Sequence, residues 1–225
     1  MTDFCTSEDQ TGSWPELGSK PDGIEARQIS INGQRLQVAI KHGSGNRPPL
    51  LLFNGIGANW ELAKPFLQAL TTTTAIIFDV PGVGGSPRPL LPYRLSTLAQ
   101  LAAELVAELG YQEVDVAGVS WGGGLAQQFA YQYPKRCRRL VLAATAPGGT
   151  MVPASPSVLW KMATPRRYID KNYLSRIAPD IYGGAFRKDP SLISPHAAAM
   201  NGARSLSCLL WPSGRACHGY GRCRS

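Results

Sequence analysis

The chain is poor in charge, in patterned cysteine and in long apolar runs, and each shortage excludes something. Charged residues make up 17% of its 225 positions while 44% are apolar, which rules out a disordered acidic or basic tail protein. No apolar run is long enough to span a bilayer. The N-terminus, Met1-Thr2-Asp3-Phe4 onward, lacks the basic and apolar regions of a secretory signal. Of the five cysteines, Cys5 and Cys137 stand alone and Cys208, Cys217 and Cys223 crowd near the C-terminus. No CxxC pair or Cys/His metal spacing appears, so neither a disulfide framework nor a metal site is expected, and a reducing, cytoplasmic location fits.

The net charge of +8 invites a nucleic-acid reading, but its distribution argues against one. Arg204, Arg215, Arg222 and Arg224 lie in the last 25 residues, which hold no acidic residue; the rest of the chain carries 19 basic against 15 acidic groups, a balance of +4. A clustered basic stripe is missing. The run Lys135-Arg136-Cys137-Arg138-Arg139 falls between a helix stop at Pro134 and an apolar strand and is expected as a solvated turn.

What is present is an alternation of short apolar strands and helices. Residues 1–22 read as a leader rich in Gly, Pro and Ser. Asn32-Gly33 between two partly alternating runs predicts a β-hairpin. Residues 49–53 and 75–79 read as buried strands, and 114–118 and 139–145 as further strands. Between them, Leu62, Phe66 and Leu70 mark one helix. Leu98, Leu101, Leu105 and Leu109 mark another, with Ser96 as its N-cap and Gly110 as its stop. Leu125 and Phe129 face inward from a third. Strands alternating with helices imply an α/β fold, mostly parallel, with an antiparallel hairpin at one edge. Residues 23–146 are therefore expected as the core, 147–200 as a cap of short helices interrupted by prolines, and 201–225 as an anomalous tail.

Gly118-Val119-Ser120-Trp121-Gly122 matches G-x-S-x-G in the strand–turn–helix setting that gives the pattern meaning. So tight a turn strains the serine backbone and leaves no room for side chains at 118 and 122. Ser120 would project its hydroxyl toward the positive end of a helix. The alternative is a serine that merely caps that helix. The oxyanion donors would be the N–H of Trp121 and that of Ile56, from the loop Asn54-Gly55-Ile56-Gly57. Nucleotide binding is excluded: no P-loop is present, and Gly82-Val83-Gly84-Gly85 lacks the dinucleotide spacing.

At these residues the chain resembles the α/β-hydrolase family, and more narrowly the intracellular poly(3-hydroxyalkanoate) depolymerases of medium-chain-length polyesters. The stretches that carry the resemblance are Leu51–Asn59, Phe78–Ser86, Gly118–Gly123, Leu140–Ala146, Pro165–Tyr168 and Ile181–Gly184. The resemblance implies a serine hydrolase with Ser120 as nucleophile and no cofactor. Its substrate would be an aliphatic polyester granule or soluble 3-hydroxyacyl esters. A generic carboxylesterase or acyltransferase of the same fold is the alternative enzyme, and a catalytically silent granule binder the alternative outside enzymes. A dehalogenase is disfavoured by Ser in place of Asp.

In this fold the triad runs Ser, acid, His along the chain, and nothing after residue 200 reads as the strands that should carry the last two. The triad acid and histidine are therefore unassigned. The expectation is a reading frame that shifts near residue 200, removing about 60 residues at ~30 per βα unit, with a divergent tail as the alternative. His42 follows an N-terminal strand, and Asp180, Asp189 and His196 fall in the expected cap. His218 is in the tail. Asp79 ends a strand beside the site and is expected in a structural hydrogen-bonding role.

Overall fold

The computed structural model describes residues 23–89, 92–146, 155–164, 166 and 170–193. The expected leader, the anomalous tail, His196 and His218 lie outside the described residues.

Among the described residues six strands form one mixed sheet: β1 (Ile24–Ile31), β2 (Gln34–Lys41), β3 (Leu50–Phe53), β4 (Ala75–Phe78), β5 (Val114–Val119) and β6 (Cys137–Ala143), in the order β1-β2-β4-β3-β5-β6. β1 pairs with β2, and β2 with β4, antiparallel; β4, β3, β5 and β6 run parallel. The hairpin turns at Asn32-Gly33, both at positive φ (48° and 79°), the backbone that a two-residue turn matched to strand twist requires.

The intervening helices are α1 (Lys64–Ala69), α2 (Leu95–Glu108) and α3 (Trp121–Gln132). On one face of the sheet α2 and α3 bury Leu98, Leu105, Leu125 and Phe129 against Leu36, Val38, Leu51 and Ile76. The rings of Phe53, Phe78, Phe129 and Tyr133 meet in this core. The other face packs Ala63 and Leu67 against Ala39, Leu52, Ile77 and Ala117. Beyond β6 come α4 (Pro156–Ala163), α5 (Lys171–Tyr182) and α6 (Gly184–Lys188). α5 is capped by Asp170, whose carboxylate accepts the N–H groups of Asn172 and Tyr173 at 3.0 Å each.

Three local expectations need correction. α2 begins two residues earlier than expected: Arg94 holds the N-cap position without a side-chain bond, and Ser96 is already helical. The end of α2 is as expected, since Gly110 (φ 82°) sends its N–H to Ala107 and Tyr111 sends its N–H to Val106, a Schellman closure. The helix after residue 59 starts as a 3-10 turn, Trp60–Ala63. Its three residues per turn rotate the buried face, so Leu67 is buried and Phe66 is 48% exposed. The basic run is a solvated turn only at its start, where residues 134–136 turn and Lys135 is exposed. It enters β6, where Arg138 occupies a bulge opposite the Val114–Asp115 step and grips the Asp115 carboxylate with two nitrogens, at 2.8 and 2.5 Å.

Candidate active site

The parallel strands end at one edge of the sheet, and the expected site residues gather there. Phe53 at the end of β3 pairs with Gly118 in β5, one residue before Val119 ends that strand. The loop after β3 and the turn after β5 are therefore neighbours by register. The position a Gly55 side chain would take is 3.9 Å from Ser120 Cβ.

Ser120 has φ 54° and ψ −120°, a conformation that L-residues avoid. It stands at the N-cap position of α3, yet its side chain makes no capping bond. A capping serine takes extended backbone and accepts an N–H from the first turn; Ser120 does neither. The strained turn is held by packing. A side chain at Gly118 would overlap the Gly122 carbonyl, the Gly123 backbone and Ala126. One at Gly122 would overlap the backbone of Phe53 and Asn54. The Ser120 N–H is fixed on the Ala143 carbonyl of β6 at 2.9 Å.

Trp121 is the first residue of α3, so its N–H has no carbonyl one turn back within the helix. The opposing loop is folded on itself: Asn54 Nδ2 donates to the Asn59 carbonyl (2.8 Å), Gly55 N–H to Asn54 Oδ1 (3.1 Å) and Ala58 N–H to the Gly55 carbonyl (3.1 Å). Gly57 sits at φ 71°, where a side chain would be strained. Ile56 packs against Val83, Leu174, Ala178 and Ile193, joining the loop to α5.

A cavity of about 570 Å³ opens beside Ser120, lined on one side by Leu95, Trp121, Gly124 and Gln127 and on the other by Ala144, Thr145 and Ala146. Sequence reasoning does not reach Gln127, whose Nε2 bridges the carbonyls of Gly123 (3.1 Å) and Ala146 (3.0 Å). Nothing in the sequence sets it apart from Gln128 and Gln132 in the same helix.

Among the described residues, the candidate triad partners are engaged elsewhere. His42 follows Lys41, which pairs with Ala75 at the start of β4, so it lies at the opposite edge of the sheet, 3.5 Å from Glu25. Asp180 is paired with Lys161 at 2.6 Å, which holds its carboxyl below the usual range. Asp189 accepts the N–H and hydroxyl of Ser191, with the same consequence. Asp79 is buried at the end of β4 and bonded to two loops. Burial pushes its carboxyl up to about 6, backbone bonds from Gly85 and Trp60 pull against that, and Glu61 adds to the rise. Among the described residues no cluster of His, Cys, Asp and Glu could hold a metal, and no helix is long and apolar enough to cross a membrane.

A family profile described as the alpha/beta hydrolase fold matches residues 48–190. The chain belongs to the α/β-hydrolase family. It is 54% identical over 173 residues to a poly(3-hydroxyalkanoate) depolymerase of Ectopseudomonas oleovorans, covering 76% of this chain and 61% of that protein. It is 36% identical over 126 residues to a soluble epoxide hydrolase of Corynebacterium sp. strain C12, covering 56% of this chain and 43% of that one. The chain thus spans about three fifths of the first relative and less than half of the second. Among solved structures, Cfl2 from Burkholderia cenocepacia superimposes with a TM-score of 0.60 at 22% identity, covering 84% of this chain and 73% of that one. That likeness concerns the fold of this α/β-hydrolase.

Proposed function

We propose that this α/β-hydrolase carries the nucleophile and oxyanion half of a serine esterase acting on medium-chain-length poly(3-hydroxyalkanoate) or related 3-hydroxyacyl esters. The observation that carries the reading is the backbone of Ser120: strained, glycine-packed and not used as a helix cap. The identity to the depolymerase supports the substrate class. The helices over 155–193 are then a cap that seats alkyl side chains, and the working place is the surface of a polyester granule.

In this reading Ser120 Oγ attacks the ester carbonyl and loses its proton to a base. The carbonyl oxygen becomes an anion held by the N–H groups of Trp121 and Ile56. The alkoxide leaves with a proton, and water hydrolyses the acyl-serine to release the acid. Without a base, serine is a weak nucleophile at neutral pH. The only histidine among the described residues, His42, is at the wrong edge; His196 and His218 lie outside them. A silent granule binder is therefore the second reading, favoured by this lack of a base near Ser120 among the described residues.

Labelling with a fluorophosphonate probe separates the two. Labelling that disappears in Ser120→Ala supports a working serine and base. Folded, unlabelled chain that co-sediments with granules supports the binder and refutes the esterase.

A further inference from the structure

Asp79 holds together two loops that no strand pairing joins. Its Oδ1 accepts the Trp60 N–H at 2.7 Å, at the end of the loop that carries Ile56. Its Oδ2 accepts the Gly85 N–H at 3.0 Å, in the loop after β4. Ser86 in the same loop donates its hydroxyl to the Asp79 carbonyl at 2.6 Å, while its oxygen accepts the Gln37 N–H at 2.8 Å, anchoring the junction to β2. The carboxylate is enclosed: Asp79 is 1% exposed, and a side chain at Gly84 would overlap it.

From this junction a short series of contacts runs to Ser120. Trp60 follows Asn59, whose carbonyl accepts Asn54 Nδ2. The Asn54 side chain accepts the N–H of Gly55, and Gly55 lies against Ser120. On the other side, the β4 loop places Val83, fully buried, against Ile56, Leu174, Ala178 and Ile193. The oxyanion loop and the floor under α5 are thus fixed to the same carboxylate.

The loop does not hold its shape unaided. Asn59 Oδ1 is buried without a hydrogen-bond partner, a cost that an unconstrained loop would relieve by turning outward. Asp79 is itself a costly tie. The titratable side chain that acts on it is Glu61, of like charge, while Gln37, Asn59, Trp60 and Ser86 around it are uncharged. Among the described residues no cation acts on this buried carboxylate, which breaks a rule that proteins break chiefly at functional sites.

We propose that Asp79 is a positioning residue for acyl transfer: its carboxylate ties the loop bearing the oxyanion donor Ile56 to the loop on which α5 rests. The proposal rests on the esterase reading for its catalytic consequence, but the tie itself is testable alone. Asp79→Asn preserves volume and leaves one of the two N–H donors facing an amide NH2 instead of an oxygen.

Two measurements on the full chain decide it. Amide hydrogen exchange in Asp79→Asn should lose protection at 55–60 and 83–86 while β3, β4 and β5 keep theirs. Fluorophosphonate labelling of Ser120 should slow about 10- to 100-fold, the loss that follows from misplacing reacting groups by around an ångström. If the variant does not fold, wild-type exchange at the same two loops decides: because burial raises the Asp79 pKa to about 6, protection there, with intrinsic exchange rates divided out, should grow as pH falls through 6. Unchanged protection in both loops overturns the tie. Loosened loops with undiminished labelling overturn the positioning role. An unlabelled wild-type chain sinks the esterase reading, and the exchange result still judges the tie.

Discussion

Gly122→Ala tests whether packing holds the Ser120 turn, and Gly124→Ala in the same helix is its internal control. Both substitutions put alanine into the first turns of α3. Both gain the same helix propensity, up to about 1 kcal/mol. They differ in what the new methyl meets. At 124 it finds only Leu95 Cδ1 at 3.9 Å, an ordinary contact. At 122 it overlaps the backbone carbonyls of Phe53 and Asn54, which cannot rotate aside, and overpacking of this kind costs about 1–3 kcal/mol. Gly124→Ala should therefore be as stable as wild type or slightly more so. Gly122→Ala should fall below Gly124→Ala by about 1–3 kcal/mol in urea unfolding followed by tryptophan fluorescence. Because Asn54 opens the loop that lies against Ser120, relief of the clash displaces that loop, and labelling by the fluorophosphonate probe should fall with stability. Equal unfolding midpoints for the two variants would refute the claim that this turn is closed by backbone contact.

Three further outcomes follow from the same structure. Ser120→Gly removes strain of about 1–3 kcal/mol against about 0.4–1 kcal/mol for the extra freedom of glycine when unfolded, so thermal unfolding should shift upward while labelling is lost; a lower midpoint would mean the turn is unstrained. Asp79 has a folded pKa of about 6 against an ordinary 3.8, so its contribution is full below pH 3.8 and lost as pH rises through 6. At about 1.4 kcal/mol per unit, the difference between wild type and Asp79→Asn should change by about 3 kcal/mol between pH 3.5 and 7, and a difference independent of pH would contradict a buried titrating carboxyl. β6 is an edge strand of the described sheet with Leu140, Val141 and Leu142 exposed at 39%, 57% and 39%, the kind of edge that recruits further chains. Val141→Lys should reduce self-association in gel filtration without lowering the unfolding midpoint, and unchanged association would place the contact elsewhere.

Much of this architecture is legible in the sequence because it is written in short-range patterns. Asn32-Gly33 and Gly110 state their turns outright, since the backbone at each needs positive φ. Gly118 and Gly122 bracket Ser120 at a spacing that only a very tight turn explains. What the sequence conceals depends on partners far along the chain. The basic run at 135–139 looks solvated until Asp115, 23 residues away from Arg138, supplies the carboxylate for it. The face of residues 60–70 is misread because a 3-10 turn alters the period before α1 begins. Asp79 reads as a strand terminus; that it accepts from residues 19 behind and 6 ahead follows only from the crossing of two loops.

The two glycine experiments separate stability from function in a way that neither does alone. The strain at Ser120 is local, confined to one residue's φ and ψ, whereas the contacts that sustain it reach from α3 to the ends of β3 and β6. Releasing the strain at its source should stabilise the chain and silence it. Disturbing the contacts that sustain it should destabilise the chain and silence it as well. A turn built only for folding would have no reason to show the first effect, because selection for stability alone would have placed glycine at 120. Opposite stability shifts with a shared loss of labelling would therefore mark the serine as retained for its hydroxyl. Shifts in the same direction would mean that the hydroxyl is incidental to the fold around it.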